Sequence, residues 1–364
     1  ECLLAVRFRQ KNAREELCGG PMYVMRQALG PLGAVMGAAF ALFAVCASFG
    51  IGGMAQSNSI AGALWASFGV PQGACALAVT ALVLVVMSGG VRSLGVSTAL
   101  VPAMGGFYMA ACLAVIAGNA AAVPEAVATI LRSAVCPQAA AGGAAGTAVI
   151  TLFQTIRCGV ARGVFSNEAG LGTLAVLHGA AEDTTPEEQG MWAMFEVFFD
   201  TIVICTLTAL VILCVGRESA LTVGGRVVWP MTAGHAAAES QSLQAGLDGA
   251  ALTSFCFTKI LGRFGGILVS GSMASFAFAT ILGWYYIGRQ MFSYLAERLC
   301  SGADAEYFYT ILYLLAVWLG CVCRLDLVWI VSDLVNCLMA YPNLLTLWLL
   351  AGKVRFPEIN RKVS

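Results

Sequence analysis

Apolar residues run along this chain in blocks of about 20, the length a helix needs to cross the hydrocarbon core of a bilayer. Polar residues collect between the blocks rather than alternating within them. Eight blocks stand out, at residues 32–55, 73–90, 99–119, 146–177, 191–215, 264–292, 306–323 and 327–351. The pattern predicts an all-α integral membrane protein with eight transmembrane helices. "SGGVRSLG" (88–95) and "AEDTTPEEQG" (181–190) read as connections between them. Residues 216–258 are too polar and too rich in Gly and Ser to span and read as a long extracellular loop. "PEAVATILRSAV" (124–135) reads as an amphipathic helix lying on the surface, followed by an Ala/Gly-rich linker.

The block at 146–177 breaks the pattern. Its second half, "RCGVARGVFSNEAGLGTLAV" (157–176), carries two arginines, Asn167, Glu168 and four glycines. Gly159 and Gly163 have the small-xxx-small spacing that also serves close helix packing, so that pair alone decides nothing. "SNEAGLG" does not read as packing, because irregular backbone at membrane depth survives only within protein or against a cavity. Charge inside a membrane marks function by default, and an interrupted helix is the best sequence pointer to a transporter's binding site. The expected architecture is one transmembrane transporter domain over residues 1–364, with this block as its interrupted helix.

Three further stretches carry polar groups into apolar surroundings. "ASFGIGGMAQSNSI" (47–60) places Gln56, Ser57, Asn58 and Ser59 after a glycine-rich run; an amide there either contacts substrate or braces a neighbouring helix. In "SMASFAFATILGW" (272–284), Thr280 and Trp284 lie four apart on one helical face. The hydroxyl suits a hard cation and the ring a small pocket wall; a hydroxyl back-bonded to its own helix and an interfacial tryptophan are the structural alternatives. Glu196 and Asp200, also four apart, fit a cation path or a solvated helix end equally well. Asp326 and Asp333 read as interhelical bracing.

Composition sharpens the class. Charged residues make up 11% and hydrophobic ones 59%, where a soluble domain carries about a quarter charged residues. The formal net charge is zero, which argues against nucleic acid as a partner. The fourteen cysteines are scattered through apolar blocks as small hydrophobes, with the C-x-C of Cys321 and Cys323 read as packing rather than a metal site. There are two histidines, His178 and His235, and no GxSxG or HExxH; His178 with Glu182 four residues on is too little for an intramembrane enzyme. Twelve lysines and arginines, Arg7, Arg26, Arg289 and Lys353 among them, fall on the side holding both termini, against six on the other. That bias puts both ends in the cytoplasm. "ECLLAVRFRQ" opens in apolar sequence and runs into a basic loop, so the chain reads as truncated at its N-terminus, its first helices missing.

"GGPMYV" (19–24), "ASFGIGGMAQSNSIA" (47–61), "PQAAAGG" (137–143), "GVARGVFSNEAGLG" (159–172), "FFDTIVICTLTALVIL" (198–213), "FAFATILGW" (276–284) and "LDLVW…NCLMAYPNLL" (325–345) occur in the order found in one family and cover nearly the whole chain. Together they resemble the alanine or glycine:cation symporters, also called sodium:alanine symporters. The resemblance implies a LeuT-type five-plus-five inverted-repeat fold of the APC superfamily, with the eight blocks as core helices three to ten. It implies import of small neutral amino acids, alanine and glycine, through the plasma membrane by symport with sodium, or with protons in some members. It also implies substrate contacts from Phe165, Ala169 and Gly170 in the broken helix, Gln56, Thr280 and Trp284, with Thr280 as a sodium ligand. Asn167 and Glu168 are the polar residues of the break. At 279 the family usually has Ser or Thr and this chain has Ala279; at 53 it commonly has Asn and here stands Gly53. A monomer is expected. A channel, a non-transporting membrane sensor and an inactive gene fragment are the competing readings.

Overall fold

The computed structural model describes residues 1–12, 15–88, 92–135, 163, 167–216, 221–223, 226–228, 249–296, 302–323 and 326–353. A short helix α1 (Cys2–Arg7) leads into an antiparallel hairpin of β1 (Gln10–Lys11) and β2 (Leu17–Cys18). Helix α2 (Pro21–Ala47) follows, bent sharply at Gly30, whose φ of 62° and ψ of −135° precede Pro31. Proline lacks the N–H that would continue the ladder, and glycine tolerates the turn. Beyond the bend the helix widens into a π-helical segment, Ser48–Ala55, and continues as α3 (Gln56–Phe68) to a left-handed cap at Gly69. The first block therefore does not end at 55. The hydroxyls of its polar island are satisfied within the helix, Ser57 and Ser59 bonding back to the Met54 and Ala55 carbonyls at 3.1 and 2.9 Å.

The remaining helices are α4 (Gln72–Ser88), α5 (Arg92–Gly118), α6 (Val123–Val135), α7 (Thr173–Gly179) and α8 (Pro186–Phe198). A second π-helical segment, Phe199–Cys205, joins α8 to α9 (Thr206–Gly216). After a hairpin of β3 (Leu221–Val223) and β4 (Arg226–Val228) come α10 (Gly249–Leu261), α11 (Arg263–Ala296), α12 (Gly302–Val322) and α13 (Asp326–Leu350). Helix α8 starts at a capping box: Thr185 accepts from the Glu188 N–H, Glu188 reaches back to the Thr185 N–H, and Pro186 takes the first turn. The surface helix expected at 124–135 is α6. The expected loop 216–258 is corrected at its end, where "LTSFCFTKIL" is apolar enough to form α10; Cys256 and Phe257 bury against α5 and α9.

Among the described residues, five helical segments are long and apolar enough to cross a membrane: Pro21–Trp65, Leu100–Gly118, Pro186–Val215, Arg263–Ala296 and Val328–Leu350. Gln72–Ser88 and Glu306–Val322 are shorter apolar helices within two further expected blocks. Of the block 146–177, residues 146–162 and 164–166 lie outside the described residues. Side chains such as Leu77, Met194, Ile311 and Trp348 point outward, Trp348 with 75% of its surface exposed. In water such a belt would favour aggregation; in lipid it is the wetted face. This is a multi-pass, all-α membrane protein.

The 34-residue α11 runs through the middle, against α2, the first π segment, α3, α5, α10 and α12. Its crossings depend on missing side chains. A Cβ on Gly52 would lie 2.4 Å from Cβ of Trp284, and one on Gly288 would meet the Tyr309 hydroxyl and Ser48. Ser48 Oγ donates to the Val45 carbonyl (2.7 Å) and lies 2.9 Å from Tyr309 Oη, so the polar atoms at this crossing are satisfied. Tyr285, Tyr309, Tyr313 and Phe49 pack ring to ring beside it, and Tyr313 donates to the Ile281 carbonyl at 2.8 Å. Asn58 donates to the carbonyls of Gly320 (2.9 Å) and Cys323 (3.3 Å), so that amide braces α12. Cys321 packs there too, its thiol 3.5 Å from the Ser57 carbonyl.

Candidate functional site: the break before helix α7

Between Asn167 and Thr173 the backbone leaves the helix. Glu168 (φ 49°), Gly170 (φ 88°) and Gly172 (φ 86°) all take left-handed conformations, and the Leu171 N–H turns back to the Glu168 carbonyl at 3.1 Å. Glutamate rarely adopts this conformation without compensation, and such strain clusters at functional sites. The compensation is visible. Asn167 donates to the Gly163 carbonyl (3.0 Å) and accepts from Thr201 of the second π segment. Asn343 of α13, 2% exposed, donates to the Gly170 carbonyl at 3.0 Å and so caps one acceptor freed by the break. Gly172 is pressed against Pro21, Phe40 and Asn343, with no room for a Cβ.

The break opens onto a cavity of about 550 Å³. Asn167 and Glu168 form one wall, Leu174 and Leu177 of α7 the next; Glu196, Val197 and Asp200 come from the α8 side, and Phe276, Ala279, Thr280, Gly283, Trp284 and Ile287 from α11. Val101 of α5 completes the lining. The Glu168 carboxylate accepts from Thr173 Oγ1 at 2.5 Å, and the Trp284 indole stands beside it. Glu168 and Trp284 thus bring the broken segment and α11 to the same cavity. Thr280 Oγ1 donates to the Phe276 carbonyl at 2.9 Å. The hydrogen is thus used within the helix, and the oxygen lone pairs of a cavity-lining hydroxyl remain to accept or coordinate. Both expected roles of Thr280 are compatible in one geometry.

Asn167, Glu168, Thr280 and Trp284 are brought together, and Ala279 lines the same space. Three expected site residues are not in it. Ala169 and Gly170 face a second, more apolar cavity of about 1240 Å³ among α1, α8 and α13, because successive residues of a tight turn point in different directions. Gln56 is half-buried on α3 and lines neither cavity. Phe165 lies outside the described residues. Sequence reasoning left Glu196 and Asp200 open; the structure puts both on the cavity wall. Their signal was two carboxylates four apart in an otherwise apolar span. His178 does not pair with Glu182. Its Nε2 lies 3.2 Å from Glu196 Oε2 and its Nδ1 2.5 Å from Gln189 Oε1, because α8 folds back along α7. Among the described residues, no cluster of three or more His, Cys, Asp or Glu is spaced to hold a metal ion.

A cavity walled by a broken membrane helix and by a long crossing helix is what a carrier needs, and the family comparison decides the assignment. The model of the "Sodium:alanine symporter family" matches residues 1–358. The chain belongs to the sodium:alanine symporter family. Among its relatives, an uncharacterized transporter of Haemophilus influenzae is 38% identical over 350 residues, spanning 95% of this chain and 69% of that protein. The sodium/alanine symporter AgcS of Methanococcus maripaludis is 36% identical over 357 residues, 97% of this chain and 71% of the relative. The sodium/proton-dependent alanine carrier protein of Bacillus sp. strain PS3 is 29% identical over 298 residues, 81% and 62% of the two chains. The family's members are transporters rather than enzymes.

Proposed function

We propose that this chain is a secondary active transporter that imports small neutral amino acids, alanine and glycine, by symport with sodium. The observation that carries the reading is the cavity in which the broken-helix carboxylate Glu168 meets Thr280 and Trp284 of α11. The names of the relatives, sodium/alanine symporter and sodium/proton-dependent alanine carrier, agree with it. The fold is the LeuT-type five-plus-five inverted repeat in a single transporter domain, in the plasma membrane with both ends cytoplasmic. Sodium enters as a co-substrate, not a resident cofactor, and Thr280 contributes one oxygen to it. The amino acid's carboxylate meets N–H groups freed at the break; Phe165, Ala169, Gly170 and Gln56 complete the contacts when the cavity closes around it. Trp284 limits side-chain size. Binding of both solutes favours closure on the outer side and opening on the inner, and each charge moved through 100 mV supplies about 2.3 kcal/mol.

The test is uptake of radiolabelled alanine by proteoliposomes holding the full chain, with sodium outside or replaced by choline at fixed pH. Accumulation that collapses in choline is expected; equal uptake in both sinks the sodium reading. Ala279 offers a second test. It is 9% exposed on the cavity wall beside Thr280, where a hydroxyl adds a ligand to a hard cation that favours several oxygens. Ala279→Ser is expected to lower the sodium concentration for half-maximal uptake several-fold, measured from the sodium dependence of initial rates.

A further inference from the structure

His178 sits at the end of α7, just past the interrupted block, and is 7% exposed. A hydrogen-bond chain runs to it from Thr184 through Gln189. Thr184 Oγ1 has one hydrogen and two acceptors for it, Glu188 Oε2 at 3.3 Å and the Thr185 carbonyl at 3.5 Å. It accepts the amide N–H of Gln189 Nε2 at 3.1 Å. That orients the Gln189 amide so that Oε1 faces His178 Nδ1 at 2.5 Å. The other ring nitrogen faces the Glu196 carboxylate at 3.2 Å. With the amide so turned both nitrogens face acceptors, an arrangement that the doubly protonated imidazolium satisfies.

Glu196 is half exposed and lines the cavity. The imidazolium therefore neutralises a carboxylate on the wall of a space that also holds Glu168 and Asp200. We propose that His178 is a proton-binding site linked to the cation occupancy of the cavity, with Glu196 carrying the linkage. The proposal rests on the reading of that cavity as the transport site. With the proton bound, Glu196 is held toward α7 and the cavity is one charge less negative. When Nε2 loses its proton, its lone pair meets the carboxylate, Glu196 is released, and the cavity attracts cations more strongly. Proton and cavity cation then oppose one another. Linkage makes the opposition reciprocal, so a cation in the cavity lowers the affinity of His178 for its proton.

The surroundings agree. Burial disfavours the charge, and the bonds to Glu196 and Gln189 more than offset it, so the ring holds its proton above the ordinary imidazole range. Among the described residues no ion pair reaches His178 from α1, α2, β2 or α11, the other elements packed on α7. The sign follows. This pair's contribution to stability is complete below about pH 6.5, the unfolded value, and disappears as pH rises through the raised folded value.

With two histidines in the chain, His235→Asn leaves His178 as the only imidazole signal. The experiment is a 13C-histidine NMR titration of the full chain in that background, in sodium and in choline. The expected midpoint lies above the ordinary histidine value, falls by about one pH unit or more in Glu196→Gln, and falls when sodium replaces choline. A midpoint that Glu196→Gln leaves in place, or that is the same in sodium and choline, overturns the proposal. Uptake of alanine by the same sample separates the two readings. A sodium-sensitive midpoint without uptake keeps the linkage and removes the transporter assignment; uptake with an indifferent midpoint does the reverse. His178→Gln serves as the conservative variant, expected to retain uptake while losing the pH dependence of its half-saturating sodium concentration.

Discussion

Gly172→Ala is expected to abolish sodium-driven alanine uptake and to lower the thermal unfolding midpoint of the purified protein by several degrees. Two costs fall on one methyl group. The left-handed backbone (φ 86°) penalises any L side chain by about 1–2 kcal/mol. The new Cβ would stand 2.5 Å from Cγ of Pro21, a ring atom with little room to move, and 3.1 Å from Phe40 and Asn343. Overpacking of that kind adds about 1–3 kcal/mol. Relief requires the turn to shift, and the turn carries Glu168. Gly170→Ala is the control. It has the same left-handed penalty (φ 88°), but its Cβ would meet only the end of Leu344, at 3.3 Å, which can rotate away. Its loss of stability is expected to be the smaller by at least half. Equal losses would mean that strain alone, and not the wedge against α2 and α13, holds the break.

Trp284→Ala is expected to reduce alanine uptake more than tenfold and to let larger neutral amino acids compete. Trp284 is 3% exposed and does two things at once: its ring closes the cavity, and its indole N–H stands beside Glu168. Thr173 still donates to Glu168 in the variant, but losing a polar neighbour of a buried carboxylate costs about 1–3 kcal/mol, which is about fivefold to more than a hundredfold in an equilibrium. Trp284→Phe separates the two. It keeps most of the wall and loses the donor, so alanine uptake should fall while valine and leucine remain excluded. Competition of labelled alanine by unlabelled alanine, valine and leucine reads this directly. If Trp284→Ala leaves the order of competitors unchanged, the ring does not set the size limit. Gly52→Ala, whose Cβ would stand 2.4 Å from Trp284 Cβ, should shift selectivity in the same direction without touching the tryptophan.

Much of this was legible in the order of residues. Membrane helices are long and apolar, so the blocks announce themselves, and a glutamate among glycines at membrane depth has few structural excuses. Neighbours distant in sequence were not legible. Nothing local says that Gln189 rather than Glu182 faces His178, since that depends on α8 folding back along α7. Nor does a run of four polar residues at 56–59 say which faces a cavity; Asn58 turns to the α12 carbonyls and Gln56 lines neither cavity. Within the break, Glu168 and Ala169 are adjacent yet open onto different spaces, because residues in a left-handed turn do not share the face that a helical register assigns them. The bend at Gly30–Pro31 could have been read from that dipeptide, whereas the continuation of the first block through Ser48–Ala55 to Phe68 could not, since a π-helical stretch has no compositional signature as strong as proline's.

The central claim is that the cavity at the break is where amino acid and cation meet, with Glu168 holding it together. Equilibrium binding of labelled alanine to the purified full chain, with sodium or choline, in wild type and in Glu168→Gln, tests it most directly. The account predicts saturable binding that requires sodium in the wild type and falls at least tenfold in the variant, with the thermal unfolding midpoint little changed. Undiminished, sodium-dependent binding in Glu168→Gln would place the site elsewhere and contradict it.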